Sequence, residues 1–378
     1  MINLGIDNIS LARPLLAGAR VGLMTNPTGV NSDMRSTIDV INETYNLSAL
    51  FACEHGVRGC APAGDKIDTF KDERTGVTVY SCYGSNTHLT PEMLDKFDVF
   101  VFDIQDAGAR FYTYIYSLAD AMVSCAKANK PVIVLDRPAP LDGKTVQGTL
   151  LDERFSSFVG RFSLPTRYAL TVGEFALWTK AHLKLDLDLS IIPMTGWKRE
   201  FKYADTGLKF VPPSPNLSCL HTADIYTGTC IFEGTNISEG RGTCLPFEYI
   251  GAPFMDAYTL SKRMNEVCPD GFFFREAYFT PSCSKHAGCV CSGVQIYITD
   301  PEHANPVLCG LKLLEEMLKL YPTQIEWLGK DENGVYTIDR LLGTDEFRLG
   351  KLSASALIEK HLPLISAWQK DSAQFYLY

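Results

Sequence analysis

The sequence predicts an α/β protein in which a doubly wound, mostly parallel sheet is followed by a second, smaller α+β domain. Three observations predict it. The first half alternates short, continuously apolar runs with amphipathic stretches, the pattern of strands buried on both faces between helices. Several of those runs end in a polar residue, as strands of an open sheet do where they meet a ligand crevice. After a stretch holding Pro212, Pro213 and Pro215, the pattern changes to longer helices with fewer strands. The boundary falls near residue 205, giving units 1–205 and 206–378.

Taken in order, Val21 to Thr25, Ala49 to Cys53, Val77 to Cys82, Val99 to Asp103 and Val132 to Asp136 read as the buried strands. Met34 to Glu43, Pro91 to Phe97 and Tyr112 to Lys127 carry helical spacing between them, with Pro91 a first-turn residue behind Thr90. Beyond Asp136, residues Pro138, Pro140 and Gly143 mark a turn-rich stretch. Thr171 to Glu174 then fits a capping box that opens a helix, and Ser190 to Pro193 adds a short strand. Phe201 to Asn216 reads as the connection to the second unit. That unit carries helices around Tyr258 to Val267, Pro306 to Leu320 and Ala354 to Gln369, and strands near Phe272 to Phe279 and Gly293 to Thr299. There is no internal repeat and no low-complexity segment.

Composition narrows the function. A formal net charge of -9 with no basic run argues against nucleic acid as a partner, because phosphate recognition concentrates Lys and Arg. No stretch is long and apolar enough to span a bilayer, and Met1 to Ser10 lacks the charged and apolar regions of a secretory leader. Twelve cysteines are scattered along the chain, several ending apolar runs (Cys53, Cys82, Cys230), as buried thiols do. Cys283, Cys289 and Cys291, with His286 among them, lack paired C-x-x-C spacing, so free thiols in a reducing compartment are expected rather than a metal. The oligomeric state is not legible in these letters.

The chemistry gathers in a few segments. Phe51 to Gly59 is an apolar run that ends in Glu54, His55 and Arg58 separated by glycines, a strand delivering reactive groups to a loop, although a polar turn uses the same letters. Asp103 to Tyr114 packs Asp103, Gln105, Asp106, Arg110, Tyr112 and Tyr114 ahead of a helix, a density that suits a polyhydroxylated ligand. Asp136 ends a further strand. In the second unit, Glu233 to Thr243 is glycine-punctuated and polar, and Ser284 to Gly288 adds Lys285 and His286. Glycoside hydrolysis needs two carboxyl groups about 5 to 9 Å apart, and Glu54 is the first candidate, with Asp103, Asp106, Glu233 and Glu239 open as the second.

Together, Cys-Glu-His-Gly-Val-Arg-Gly (53–59), Asp-Ile-Gln-Asp-Ala-Gly-Ala-Arg-Phe-Tyr-Thr-Tyr (103–114), Leu-Asp-Arg-Pro (135–138), Pro-Ser-Pro-Asn (213–216), Phe-Glu-Gly-Thr-Asn-Ile-Ser-Glu-Gly-Arg-Gly-Thr (232–243) and Ser-Lys-His-Ala-Gly (284–288) resemble the peptidoglycan exo-β-N-acetylmuramidases of NamZ type. The resemblance runs from about Gly18 to about Gly350. It implies a Rossmann-like domain and a smaller partner with the active site between them, no cofactor, and release of terminal β-1,4-linked N-acetylmuramic acid from cell-wall saccharides or muropeptides. Its catalytic glutamate lands on Glu54, expected to be a general acid raised by burial; Asp106 and Glu239 are the further catalytic candidates, Asp106 as a carboxylate that orients the sugar's acetamido group. Substrate contacts are expected from His55, Arg58, Asp103, Gln105, Arg110, Tyr112, Asp136, Arg137, Asn216, Glu233, Asn236, Arg241, Lys285 and His286. Arg58 and Arg110 are preferred for the lactyl carboxylate. The chain departs from the family pattern at Val57, Ala139, Asp142 and His221. The thiols favour cytoplasmic recycling, the alternative being export with a leader absent from this sequence. Two rival readings remain. A nucleotide-dependent Rossmann enzyme lacks its glycine fingerprint here, and Pro27 removes a backbone donor where a pyrophosphate would sit; a non-catalytic wall-binding module would have no use for Glu54.

Overall fold

The apolar runs of the first half become the strands of one twisted sheet, the central ones, Arg20–Thr25, Val99–Asp103 and Val132–Leu135, because they are buried on both faces. In the computed structural model, which describes residues 2–54, 56–59, 69–84, 87–268 and 270–378, a one-turn helix α1 (Arg13–Leu16) precedes β1 (Arg20–Thr25), α2 (Thr37–Thr44), β2 (Asn46–Ala52), β3 (Phe70–Lys71) and β4 (Thr78–Ser81). Then come α3 (Pro91–Leu94), β5 (Val99–Asp103), α4 (Tyr114–Lys127), β6 (Val132–Leu135), an antiparallel pair β7 (Gln147–Leu150) and β8 (Pro165–Arg167), α5 (Val172–His182) and β9 (Leu189–Ile192). Seven of these strands form a sheet in the order β3-β4-β2-β1-β5-β6-β9, parallel throughout except where β3 joins β4. Alternation decides which face each residue serves. Phe100 and Phe102 of β5 face a core with α4 and α5, while Val99 and Val101 face the core beneath α2 and the N-terminus. The capping box at Thr171 and Glu174 opens α5.

Residues 201–216 connect the units with only a 3-10 turn at Tyr203–Thr206. The second unit runs α6 (Leu220–Thr229), β10 (Tyr249–Ala252), α7 (Ala257–Val267), β11 (Phe272–Phe279), β12 (Cys291–Ile298), α8 (Pro306–Leu320), α9 (Thr337–Leu342) and α10 (Ala354–Ser372). Its sheet is antiparallel, in the order β10-β12-β11. Helices α6 and α8 cross backbone to backbone: a Cβ on Gly228 would stand 1.8 Å from the Pro306 carbonyl oxygen, and one on Gly310 2.0 Å from that of Gly228. The last helix belongs to both units. Ala354 and Leu357 sit in the second core, whereas Trp368 packs in the first and its Nε1 donates to the Tyr168 carbonyl at 3.2 Å.

The expected elements are present with shifted ends. The helix expected from Met34 starts at Thr37, behind a turn in which Met34 has φ +66°; that expected to Phe97 stops at Leu94; and that expected from Tyr112 starts at Tyr114. α1, β3, β7, β8, β10, α6 and α9 were not foreseen. No helix of the described residues is long and apolar enough to cross a membrane. Cys53, Cys82 and Cys230 are buried, Cys283 and Cys289 exposed, and no group of three metal-binding side chains occurs among the described residues.

Candidate active site

Where β2 ends the chain turns at once. Cys53 is buried, its carbonyl accepts from Gly56 N at 3.1 Å, and Glu54 is left half-buried at the rim. Gly56 has φ +79°, which makes this turn easy for glycine and strained for other residues. Glu54 lines a cavity of about 250 Å³ between the two units. From the first unit come Tyr83, Phe111 to Tyr114 at the start of α4, and Phe158 and Val159 between β7 and β8. The connection supplies Ser214, Asn216 and Leu217, and the second unit Tyr226, Glu233, Arg241 and Phe247.

Aromatic rings form much of the wall. Tyr112 meets Tyr114 edge-on at 4.9 Å, Phe111 meets Tyr226 at 5.2 Å, and Tyr226 meets Phe247 at 4.8 Å. The Tyr114 phenol donates to the Pro213 carbonyl at 2.9 Å, which fastens the connection to the first unit. Burial, and behind it the charge of Glu54, push the Tyr83 phenol up to about 12.

The charged wall belongs to the glycine-punctuated segment. Arg241 Nη2 meets Glu233 Oε1 at 2.6 Å and Nε meets Glu239 Oε1 at 3.2 Å, while Lys285 Nζ reaches Glu239 Oε2 at 2.6 Å. Lys285 also donates to the carbonyls of Phe232 (2.8 Å) and Thr235 (2.9 Å), so one ammonium ties both ends of the Glu233 turn. Burial pushes the Glu233 carboxyl above its ordinary value, and the Arg241 charge pulls against that rise. Gly242, at φ +79°, has no room for a side chain: a Cβ would lie 2.6 Å from Cys283 N.

Of the residues singled out in the sequence, Glu54, Tyr112, Tyr114, Asn216, Glu233 and Arg241 line the cavity, with Glu239 and Lys285 behind it. The others are not brought to it. Asp103 takes a two-pronged pair from Arg137 (2.6 and 2.8 Å) and the Thr37 hydroxyl, and Arg137 also donates to the Val30 carbonyl. Gln105 donates to the carbonyls of Asp106 and Pro138. Asp106 is buried, its Oδ2 accepting from Gly108 N at 2.6 Å and from the Tyr168 phenol. Arg110 is fully buried and spends its guanidinium on the carbonyls of Thr149, Leu164 and Leu341; burial without a carboxylate lowers its pKa to about 10. It therefore does not reach a substrate carboxylate. Arg58 grips Asp72 with two nitrogens, at 2.9 and 3.0 Å. Asp136 caps α5 through Thr171 Oγ1 and Gly173 N and accepts from the Tyr378 phenol at 2.7 Å. Asn236 is held by Gln324 and Glu326, and a His286 ring nitrogen lies 2.7 Å from the Asn236 carbonyl oxygen. His55 lies outside the described residues.

Sequence reasoning passed over Tyr83, Phe111, Phe158, Tyr226 and Phe247. Phe111 had a signal, standing beside Tyr112 in a run of aromatics; Tyr83 and Phe158 sit in irregular segments that carry none.

The chain matches the family described as "Exo-beta-N-acetylmuramidase NamZ, N-terminal" over residues 21–221, and its C-terminal counterpart over 225–378. It is 42% identical over 362 residues to the peptidoglycan beta-N-acetylmuramidase NamZ of Bacillus subtilis, covering 95% of this chain and 85% of that protein. Two crystal structures of DUF1343 family proteins from Bacteroides fragilis are similar over 100% of this chain and 99% of theirs. One has a TM-score of 0.89 at 34% identity, the other 0.78 at 26%.

Proposed function

The chain belongs to the exo-beta-N-acetylmuramidase NamZ family and is a glycosidase acting on peptidoglycan; from that premise we propose that terminal β-1,4-linked N-acetylmuramic acid is released in the cavity between the units, with Glu54 as general acid. One observation supports this above the rest: a single sugar-sized hollow is faced by Glu54 from the first unit and by Glu233 from the second. Glu54 donates its proton to the leaving glycosidic oxygen, and Glu233, paired with Arg241, activates water or attacks the anomeric carbon. Arg241 meets the lactyl carboxylate of muramic acid. Tyr112, Tyr226 and Phe247 cover the apolar side of the ring. Asp106 and Glu239 act from behind: Asp106 holds the Gly108 turn and the Tyr168 phenol, and Glu239 fixes Arg241 and Lys285. Exposed thiols at Cys219, Cys244, Cys283 and Cys289 fit a reducing compartment and support a reaction on recycled fragments in the cytoplasm.

The test separates the two carboxyl groups. Glu54→Gln is expected to lower hydrolysis of a muramyl disaccharide by about 10³-fold, and that of a nitrophenyl muramide, whose leaving group needs little protonation, far less. Glu233→Gln is expected to slow both alike. Near-normal turnover of the disaccharide by Glu54→Gln overturns the assignment.

A further inference from the structure

A second concavity adjoins the first, and nothing described so far uses it. Ser157 and Gly160 bond to each other's backbone (Ser157 N to Gly160 O at 2.8 Å, Gly160 N to Ser157 O at 3.2 Å), forming a tight loop with Phe158 and Val159 at its tip. Those two residues line the catalytic cavity on one side and, on the other, a groove of about 610 Å³. The far bank of the groove is Asp331 to Arg340 of the second unit.

We propose that this groove is the aglycone site, holding the neutral saccharide that continues beyond the scissile bond. The inference rests on the muramidase reading and adds to it the direction in which the chain leaves. Glu54 shares the cavity rim with Tyr83, and the Tyr83 ring meets Phe158 edge-on at 6.0 Å. A proton donor must face the leaving oxygen, so the bond to be cut faces the Phe158 tip and the departing sugars pass over it. Phe158 is 40% exposed, a ring available for stacking. The charges of the groove are already paired, Arg154 with Asp152 and Arg340 with Asp331, which suits a hydroxyl- and amide-bearing ligand rather than an anion. Asn333 and Thr337 supply neutral hydrogen-bonding groups, Asn333 on a turn whose N–H donates to Asp331 Oδ1 at 2.8 Å.

The test compares kcat/KM for a nitrophenyl muramide, a muramyl disaccharide and the corresponding tetrasaccharide, in the native chain and in an Asn333→Ala/Arg154→Ala variant. Both substituted side chains lie on the surface, so folding is not at issue. The native chain is expected to favour the tetrasaccharide over the disaccharide by about tenfold, and the variant to bring that ratio near one. Equal rates on the two saccharides in the native chain, or an unchanged preference in the variant, overturn the groove assignment while leaving the muramidase reading intact. Failure of the native chain to cleave any of the three overturns both.

Discussion

Asp106 carries a carboxyl that the fold holds in an unfavourable place. Its Oδ1 has no hydrogen-bond partner among the described residues, and burial pushes it from 3.8 to about 6 against the pull of Tyr168 and Gly108. The folded state therefore binds this proton more tightly than the unfolded chain does. The resulting stabilisation is complete below about pH 4 and is lost as pH rises through about 6. Asp136 is pushed to about 6 by burial as well and acts in the same direction. Asp106→Asn keeps an acceptor for both hydrogen bonds and removes the charge, so at pH 7 it is expected to gain on the order of 2–3 kcal/mol, with a flatter dependence of unfolding midpoint on pH between 4 and 7. A variant with the native pH slope would show that another group sets it. The same burial explains which site residues the sequence could reveal. Glu54 was legible because an apolar strand runs straight into it and a glycine turns the chain at once, leaving it at the rim. Arg110 was not: the carbonyls that claim it are 39, 54 and 231 residues away, and no local pattern announces them. Asp103 and Arg137, 34 residues apart, neutralise each other for the same reason.

At the level of elements, legibility followed burial and length. β5 and β6 are buried at every position, so a continuous apolar run identified them. β7 and β10 are four residues long and β3 two, too short for any period to show. Helix α6 is buried on nearly all sides, with Thr222, Thr227 and Thr229 among its inward residues, and so lacks the apolar stripe by which helices are found. Its crossing with α8 carries the prediction at this scale. Gly228→Ala puts a methyl group against the Pro306 carbonyl and must push the helices apart. The expected cost is about 2–3 kcal/mol in a denaturant titration, together with a fall in kcat/KM, because Tyr226 moves with α6. An unchanged midpoint would mean the crossing tolerates separation.

For the whole molecule, the long-range ties matter more than the connection at 201–216. Arg110 reaches from the first unit to Leu341, α10 plants Trp368 in the first core, and the Tyr378 phenol donates to Asp136 and accepts from Met194 N at 2.8 Å. None of these ties follows from periodicity, which is why two units were foreseen and their interlocking was not. Calorimetry is expected to show one unfolding transition; two resolved transitions would mean the units melt independently. A helix rooted in both cores also limits how the enzyme handles its substrate. Jaws so bolted are expected to keep one gap, so that fragments would thread a doorway of constant width and be screened by girth at the threshold before any covalent event begins.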